Sequence, residues 1–205
     1  MPGPRRRPAA AELGARIRAE RESAGVSLRA LAGRLGVSPS LLSQLERGLA
    51  QPSVATLWGI VTELGLSLDA LFAEPDGGAA SGGPVLVQRA GDRRAIELGG
   101  GVRWERLSAA PDPDAAFAFV TYQPGGTTTS DHPPATHRGK EYGYLLSGRL
   151  EVEVGDETLE LGPGDAVVFR SGTPHRFRAL GDEPVRAVWL NLAAPDGLAR
   201  GHDVD

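Results

Sequence analysis

The feature that most constrains this chain is a change of hydrophobic period part-way along it. Up to residue 72 apolar residues recur at helical spacing; after residue 84 they alternate in twos. Leu13, Ile17 and Arg21 share one helical face, Leu28, Leu31, Ala32 and Leu35 a second, and Leu41, Leu42 and Leu45 a third. Ser27 and Ser38 stand where N-caps are expected, with Pro39 at the favoured first helical position and Gly36 at the turn between. Ser53 can cap a fourth helix that runs to Leu64 and stops at Gly65, and a short fifth helix is expected from Leu68 to Phe72. The later part reads as short strands, PVLVQR, FAFVTY, EYGYLLSG, RLEVEVG, ETLELG, DAVVFR, HRFRAL and VRAVWLNL, punctuated by Gly, Pro and Asp. Between the two lies AEPDGGAASGGP, without periodicity. The expectation is therefore multidomain α + β: a disordered basic tail (1–10), a five-helix unit (11–72), a flexible linker (73–84), an antiparallel β-sandwich or barrel (85–195) and a polar tail (196–205).

Composition narrows the function classes. With 40% hydrophobic and 23% charged residues, no apolar run of membrane-spanning length and no apolar stretch behind the basic start, the chain reads as a soluble cytoplasmic protein without a secretory signal. It has no cysteine, which excludes disulfides and thiolate chemistry. The net charge of −4 conceals an asymmetry: residues 1–72 hold nine Arg and six acidic residues, whereas the rest is acidic. A basic first third on an acidic protein points to that third as the part that meets a polyanion.

In the third helix, burying Leu41, Leu42 and Leu45 leaves Ser40, Ser43, Gln44 and Arg47 on the opposite face, free to enter a major groove. Gln can pair with adenine through two hydrogen bonds, and Ser can donate to or accept from any base. Backbone amides at the helix starts marked by Ser27 and Ser38 can meet phosphates, with Arg29 and Arg47 as nearby cations. The stretch from Leu28 to Phe72 resembles the helix-turn-helix of the phage-repressor-like (XRE) regulators. Leu31-Ala32, Gly36-Val37, Leu42-Ser43, Leu45-Glu46, Gly48, Pro52, Leu57, Leu64-Gly65 and Leu71-Phe72 all fall at that family's spacing. The resemblance implies a pairing of Arg21 with Glu46 that ties the first helix to the third.

Residues 122–192 resemble a cupin, the double-stranded β-helix barrel, through HRGKEYGYLLSG and GPGDAVVFRSGTPHRF. The cupin metal ligands map onto His137, Glu141 and His175, while the position of the first family His is Ala135. Two imidazoles and one carboxylate make a facial triad, suited to a divalent metal such as Fe, Zn, Mn or Ni, and an empty barrel is the other reading. Strand alternation groups Glu141, Gly143 and Leu145, His175 with Phe177, and Trp189 with Asn191. Tyr144, Phe177, Trp189 and Asn191 are the candidate effector contacts.

Two functions fit. One is a sequence-specific DNA-binding transcriptional regulator, no enzyme, that forms a homodimer on a pseudo-palindromic double-stranded operator and senses a small-molecule effector in the barrel, with no membrane partner. The alternative is a non-haem iron-dependent oxidase or epoxidase, because the whole arrangement also resembles the hydroxypropylphosphonate epoxidases, where His-Glu-His holds iron and an Asn at the position of Asn191 contacts substrate. Against it, the catalytic Lys of those enzymes aligns with about Gly25, and the one lysine of this chain is Lys140.

Overall fold

Four helices open the chain: α1 (Ala10–Ser23), α2 (Leu28–Leu35), α3 (Pro39–Glu46) and α4 (Val54–Leu64). The computed structural model describes residues 10–68, 71, 85–129 and 133–193. Three helices begin at the expected caps, where the Ser27, Ser38 and Ser53 side chains accept from the backbone N–H groups of Ala30, Leu41 and Thr56. Each cap satisfies a donor that the first helical turn leaves orphaned. Gly36 and Gly65 end α2 and α4 in the left-handed region, at φ 67° and 66°. Ile17, Leu31, Ala32, Leu42, Leu45, Leu57 and Ile60 are buried together. Gly14 lets α1 approach α3 closely, since a Cβ there would run into the Leu45 and Glu46 carbonyl groups. Of the expected fifth helix, Leu68 and Leu71 are described and buried, and the rest lies outside the described residues. The 73–84 linker lies outside them too, as do residues 1–9 and 194–205 of the tails.

Nine strands follow among the described residues: β1 (Ala95–Leu98), β2 (Val102–Arg106), β3 (Ala115–Tyr122), β4 (Lys140–Ser147), β5 (Arg149–Val154), β6 (Glu157–Leu161), β7 (Ala166–Arg170), β8 (His175–Leu180) and β9 (Val185–Leu192). They form a six-stranded sheet in the order β1-β2-β3-β9-β4-β7 and a three-stranded sheet in the order β6-β5-β8. Every pairing is antiparallel. Alternate residues of β3, β4 and β9 are buried, as half-exposed strands require. One strand expectation fails: residues 85–89 of PVLVQR form no strand, and Val85, Leu86 and Val87 are exposed. The sheet edge is supplied instead by β1, which pairs with β2 from Ala95↔Glu105 to Leu98↔Val102. Short apolar runs carry little information about partners, and here the ladder formed elsewhere.

The helical unit packs directly on the barrel. The Ala55 N–H donates to the Thr128 carbonyl (3.1 Å), and the Gly99 N–H donates to the Pro52 carbonyl (2.8 Å). The partly buried Trp58 ring of α4 sits edge-on to Trp104 of β2, centroids 6.4 Å apart, so the two apolar cores form one cluster. Among the described residues no helix is long and apolar enough to cross a membrane.

Candidate metal centre and nucleic-acid interface

Helix α3 buries Leu42 and Leu45 and turns Ser40, Gln44 and Arg47 to solvent, with Ser43 half-buried beside them. Its Glu46 is buried too, and that carboxylate meets Arg21 of α1 through two parallel hydrogen bonds, Nε to Oε1 at 2.6 Å and Nη2 to Oε2 at 2.9 Å. A third guanidinium nitrogen donates to the Val26 carbonyl (2.9 Å), so Arg21 ties together α1, the turn after it and α3. The expected brace is therefore formed. Ser27, Arg29 and Ser38 lie exposed at the starts of α2 and α3. The cap hydroxyls of Ser27 and Ser38 are already engaged as acceptors by their own helices.

The three expected metal ligands converge. Glu141 projects inward from β4, between Phe169 of β7 and Asn191 of β9 in the ladder. His175 opens β8 and pairs with Ala135 through two reciprocal backbone hydrogen bonds of 2.9 and 3.0 Å. His137 is held by its N–H, which donates to the Ser171 carbonyl (3.0 Å). All three are buried, and one ligand atom from each lies within 4.8 Å of the others. Ala135 adds no fourth ligand, being a buried methyl in the cavity wall.

Each imidazole has Nδ1 near a backbone carbonyl, His137 to Arg138 at 3.3 Å and His175 to Thr173 at 2.9 Å. A carbonyl can only accept, so Nδ1 of each ring carries a proton and Nε2, the atom turned inward, is the one free to serve as a ligand. Nε2 of His137 and of His175 lie 2.8 and 3.1 Å from the same oxygen, Glu141 Oε1. His137 Nε2 and Glu141 Oε1 are nevertheless buried without a partner of hydrogen-bond geometry. Two imidazole nitrogens converging on one buried carboxylate oxygen need positive charge among them, from a proton or a metal ion, and this donor set fits a divalent cation.

The electrostatics agree. Burial pushes the Glu141 carboxyl upward, but the imidazoles of His137 and His175 outweigh it and bring the value down to about 2. Burial works against a charged His175, yet the Glu141 carboxylate and the Thr173 carbonyl raise its pKa above the ordinary imidazole value. A proton on His175 is therefore the competitor a metal ion at this site would have to displace. Burial pushes the Tyr122 hydroxyl upward, so it stays protonated.

The wall around the ligands is aromatic. Phe177 and Trp189 stack at 4.5 Å and 11°, and with Asn191 they line a cavity of about 20 Å³ over Glu141 and His175. Tyr144 does not join them: it is one residue out of phase with Glu141, points away from the barrel interior and is 47% exposed. The structure adds Trp58, Trp104 and Tyr122, which carry no local sequence signal of a site. Trp58 stacks on His137 with centroids 3.8 Å apart and planes within 8°. A larger cleft of about 430 Å³ lies outside, between the helical unit and the barrel.

A four-helix unit with a capped, braced and exposed third helix, joined to a barrel with convergent His and Glu ligands, defines a helix-turn-helix protein with a cupin domain. Residues 17–71 match the helix-turn-helix family and residues 118–191 the cupin domain family. The chain belongs to the HTH-type transcriptional regulators. It is 31% identical over 166 residues to the HTH-type transcriptional regulator PuuR of Escherichia coli (strain K12), spanning 80% of this chain and 85% of that one. Among solved structures it resembles an HTH_3 family transcriptional regulator from Vibrio cholerae at 25% identity and a TM-score of 0.66, covering 91% and 97% of the two chains. Hydroxypropylphosphonic acid epoxidase of S. wedmorenis aligns at 21% identity and a TM-score of 0.48, over 91% and 100% of the chains, a likeness too weak to carry an activity. The relatives that carry the assignment are thus transcriptional regulators.

Proposed function

We propose that this regulator reads a two-fold duplex site with Ser40, Ser43, Gln44 and Arg47, and that its barrel senses a small molecule beside a divalent metal. The observation that carries the reading is the polar outer face of α3, left exposed on a helix whose inner face is pinned by the buried Arg21–Glu46 pair. Arg29 and the amides at the starts of α2 and α3 would meet phosphates. His137, Glu141 and His175 would hold the ion, as Fe, Zn, Mn or Ni, and the ion would supply a Lewis-acid anchoring point for the effector. Two neutral imidazoles and one carboxylate leave such an ion with residual positive charge, which favours an effector with an anionic oxygen. Phe177, Trp189 and Asn191 would shape its site.

A homodimer would set two copies of α3 one DNA turn apart, roughly 34 Å. Support for a self-association surface comes from the outer face of β4 and β7, where Tyr142 (40%), Tyr144 (47%), Leu146 (44%) and Val168 (52%) are exposed together. An apolar patch of this kind marks an interface more often than free surface. Selection of bound sequences from a random duplex pool tests the reading. It should enrich a two-fold site for the wild-type chain and an altered site, or none, for Gln44→Ala. A pool that stays random with the wild-type chain refutes it.

A further inference from the structure

Two side chains, Trp58 and Asn191, stand between the outer cleft and the cavity over Glu141 and His175, and His137 itself borders the cleft. Trp58 lines both the cleft of about 430 Å³ and the cavity of about 20 Å³ over Glu141. The indole lies flat on the His137 ring and edge-on to Trp104. What remains behind it accommodates about one water molecule, far less than any effector. Trp58 belongs to α4 of the DNA-reading unit, and α4 is fastened to the barrel three residues earlier by the bond from Ala55 to Thr128. A polar group also waits in the wall: Asn191 is 4% exposed and its Oδ1 lacks a hydrogen-bond partner.

We propose that the effector subsite of the barrel is the slot the Trp58 indole now fills, so that the DNA-reading unit closes the site with its own side chain. The molecule that takes its place is a flat aromatic or conjugated one carrying an anionic oxygen. The flat body follows from the parallel stack on His137, which leaves a slab-shaped space when the indole withdraws. The anionic oxygen follows from the charge left on an ion held by His137, Glu141 and His175, and an N–H or O–H on the ligand would satisfy Asn191. Indole and ligand cannot share the slot, so binding lifts Trp58 off His137 and loosens α4 from the barrel. The coupling equals the ligand's preference for the undocked arrangement. This inference rests on the sensing half of the reading above.

The test is carbethoxylation of His137 by diethyl pyrocarbonate in the full-length, metal-free chain, with rates read by peptide mass spectrometry. Trp58→Ala should speed the reaction at His137 at least about tenfold, because the ring loses its cover, and free indole should restore protection by filling the gap, as apolar cavities bind matching rings. Trp58→Phe should stay near the wild-type rate. If Trp58→Ala lowers the melting temperature into the assay range, Trp58→Leu, which keeps apolar packing but leaves the His137 ring face partly uncovered, must show an acceleration in the same direction. An unchanged rate overturns the proposal, and so does an acceleration that indole does not reverse. In the Zn²⁺-loaded Trp58→Ala chain, calorimetry should show indole-2-carboxylate binding at least about tenfold tighter than indole, and equal affinities overturn the oxygen-donor half. The modification assay needs neither DNA nor metal, so its failure leaves the DNA-reading assignment standing, whereas a random selected pool strikes that assignment alone.

Discussion

Deleting the Glu46 carboxylate should cost the helical unit far more than an ordinary surface ion pair would. Arg21 and Glu46 are 8% and 7% exposed, and both guanidinium–carboxylate bonds are within 2.9 Å. Glu46→Ala leaves the Arg21 charge buried with the Val26 carbonyl and the half-exposed Glu22 carboxylate, 3.6 Å from Nη2, as its remaining partners. Breaking one side of such a pair costs about 3–5 kcal/mol, against 0–1 kcal/mol for an exposed pair. For a cooperative unit of this size each kcal/mol moves Tm by roughly 4–8 °C, so the helical transition should fall by at least about 12 °C. Replacing both partners with apolar residues, Arg21→Met with Glu46→Leu, removes the stranded charge and should bring stability back to within about 1 kcal/mol of wild type. Urea unfolding followed by circular dichroism of the helices compares wild type, Glu46→Ala and the double variant. A cost below about 1 kcal/mol for Glu46→Ala would refute the reasoning. If the pair only holds α3 in place, the folded double variant should still bind the selected operator.

Other expectations follow from the same geometry. His137→Ala should lower the affinity for Co²⁺, read by absorbance, by at least about tenfold, because two ligands then remain. With chelator present, the raised His175 pKa means its charged pair with Glu141 stabilises fully below about pH 6.5 and fades as pH rises through the folded value. Glu141, held down at about 2, stabilises above about pH 4.3 and fades as pH falls toward that value. The metal-free Tm should therefore peak between those limits, whereas metal affinity should climb with pH as the competing proton leaves His175. Gly143→Ala should destabilise the barrel by about 1–3 kcal/mol in denaturant unfolding, since a Cβ there would come within 2.6 Å of the Trp189 ring. Tyr144→Glu, at an exposed site, should leave Tm nearly unchanged but convert a dimer to monomer in light scattering.

Local rules made much of the molecule readable from residue order. Ser27, Ser38, Ser53, Gly36 and Gly65 act within one helical turn, so their caps appear where the sequence places them. The parity of a strand likewise gives Glu141 and Leu145 one face and Tyr144 the other, which is why Tyr144 stands outside the effector wall expected of it. What depends on docking between distant segments left no local trace. Trp58 occupies an ordinary position in an amphipathic helix, yet its ring covers His137 from another folding unit. Residues 85–89 have the composition of a strand but no ladder to join, because β1 took the edge beside β2. Ala135 in place of a ligand is legible in the sequence, whereas its backbone bridge to His175 required the fold.

The crowding of indoles around Glu141 has a spectroscopic consequence. The chain contains three tryptophans, and Trp58, Trp104 and Trp189 all border the same small cavity. Its entire intrinsic tryptophan emission therefore originates at one address, with no background from elsewhere. A paramagnetic ion there would quench all three rings together, while withdrawal of α4 would redden Trp58 most and Trp104, against which it packs, to a lesser degree. The unlabelled protein thus reports optically, by two distinguishable signatures, on what enters its barrel and on whether its DNA-reading head is seated.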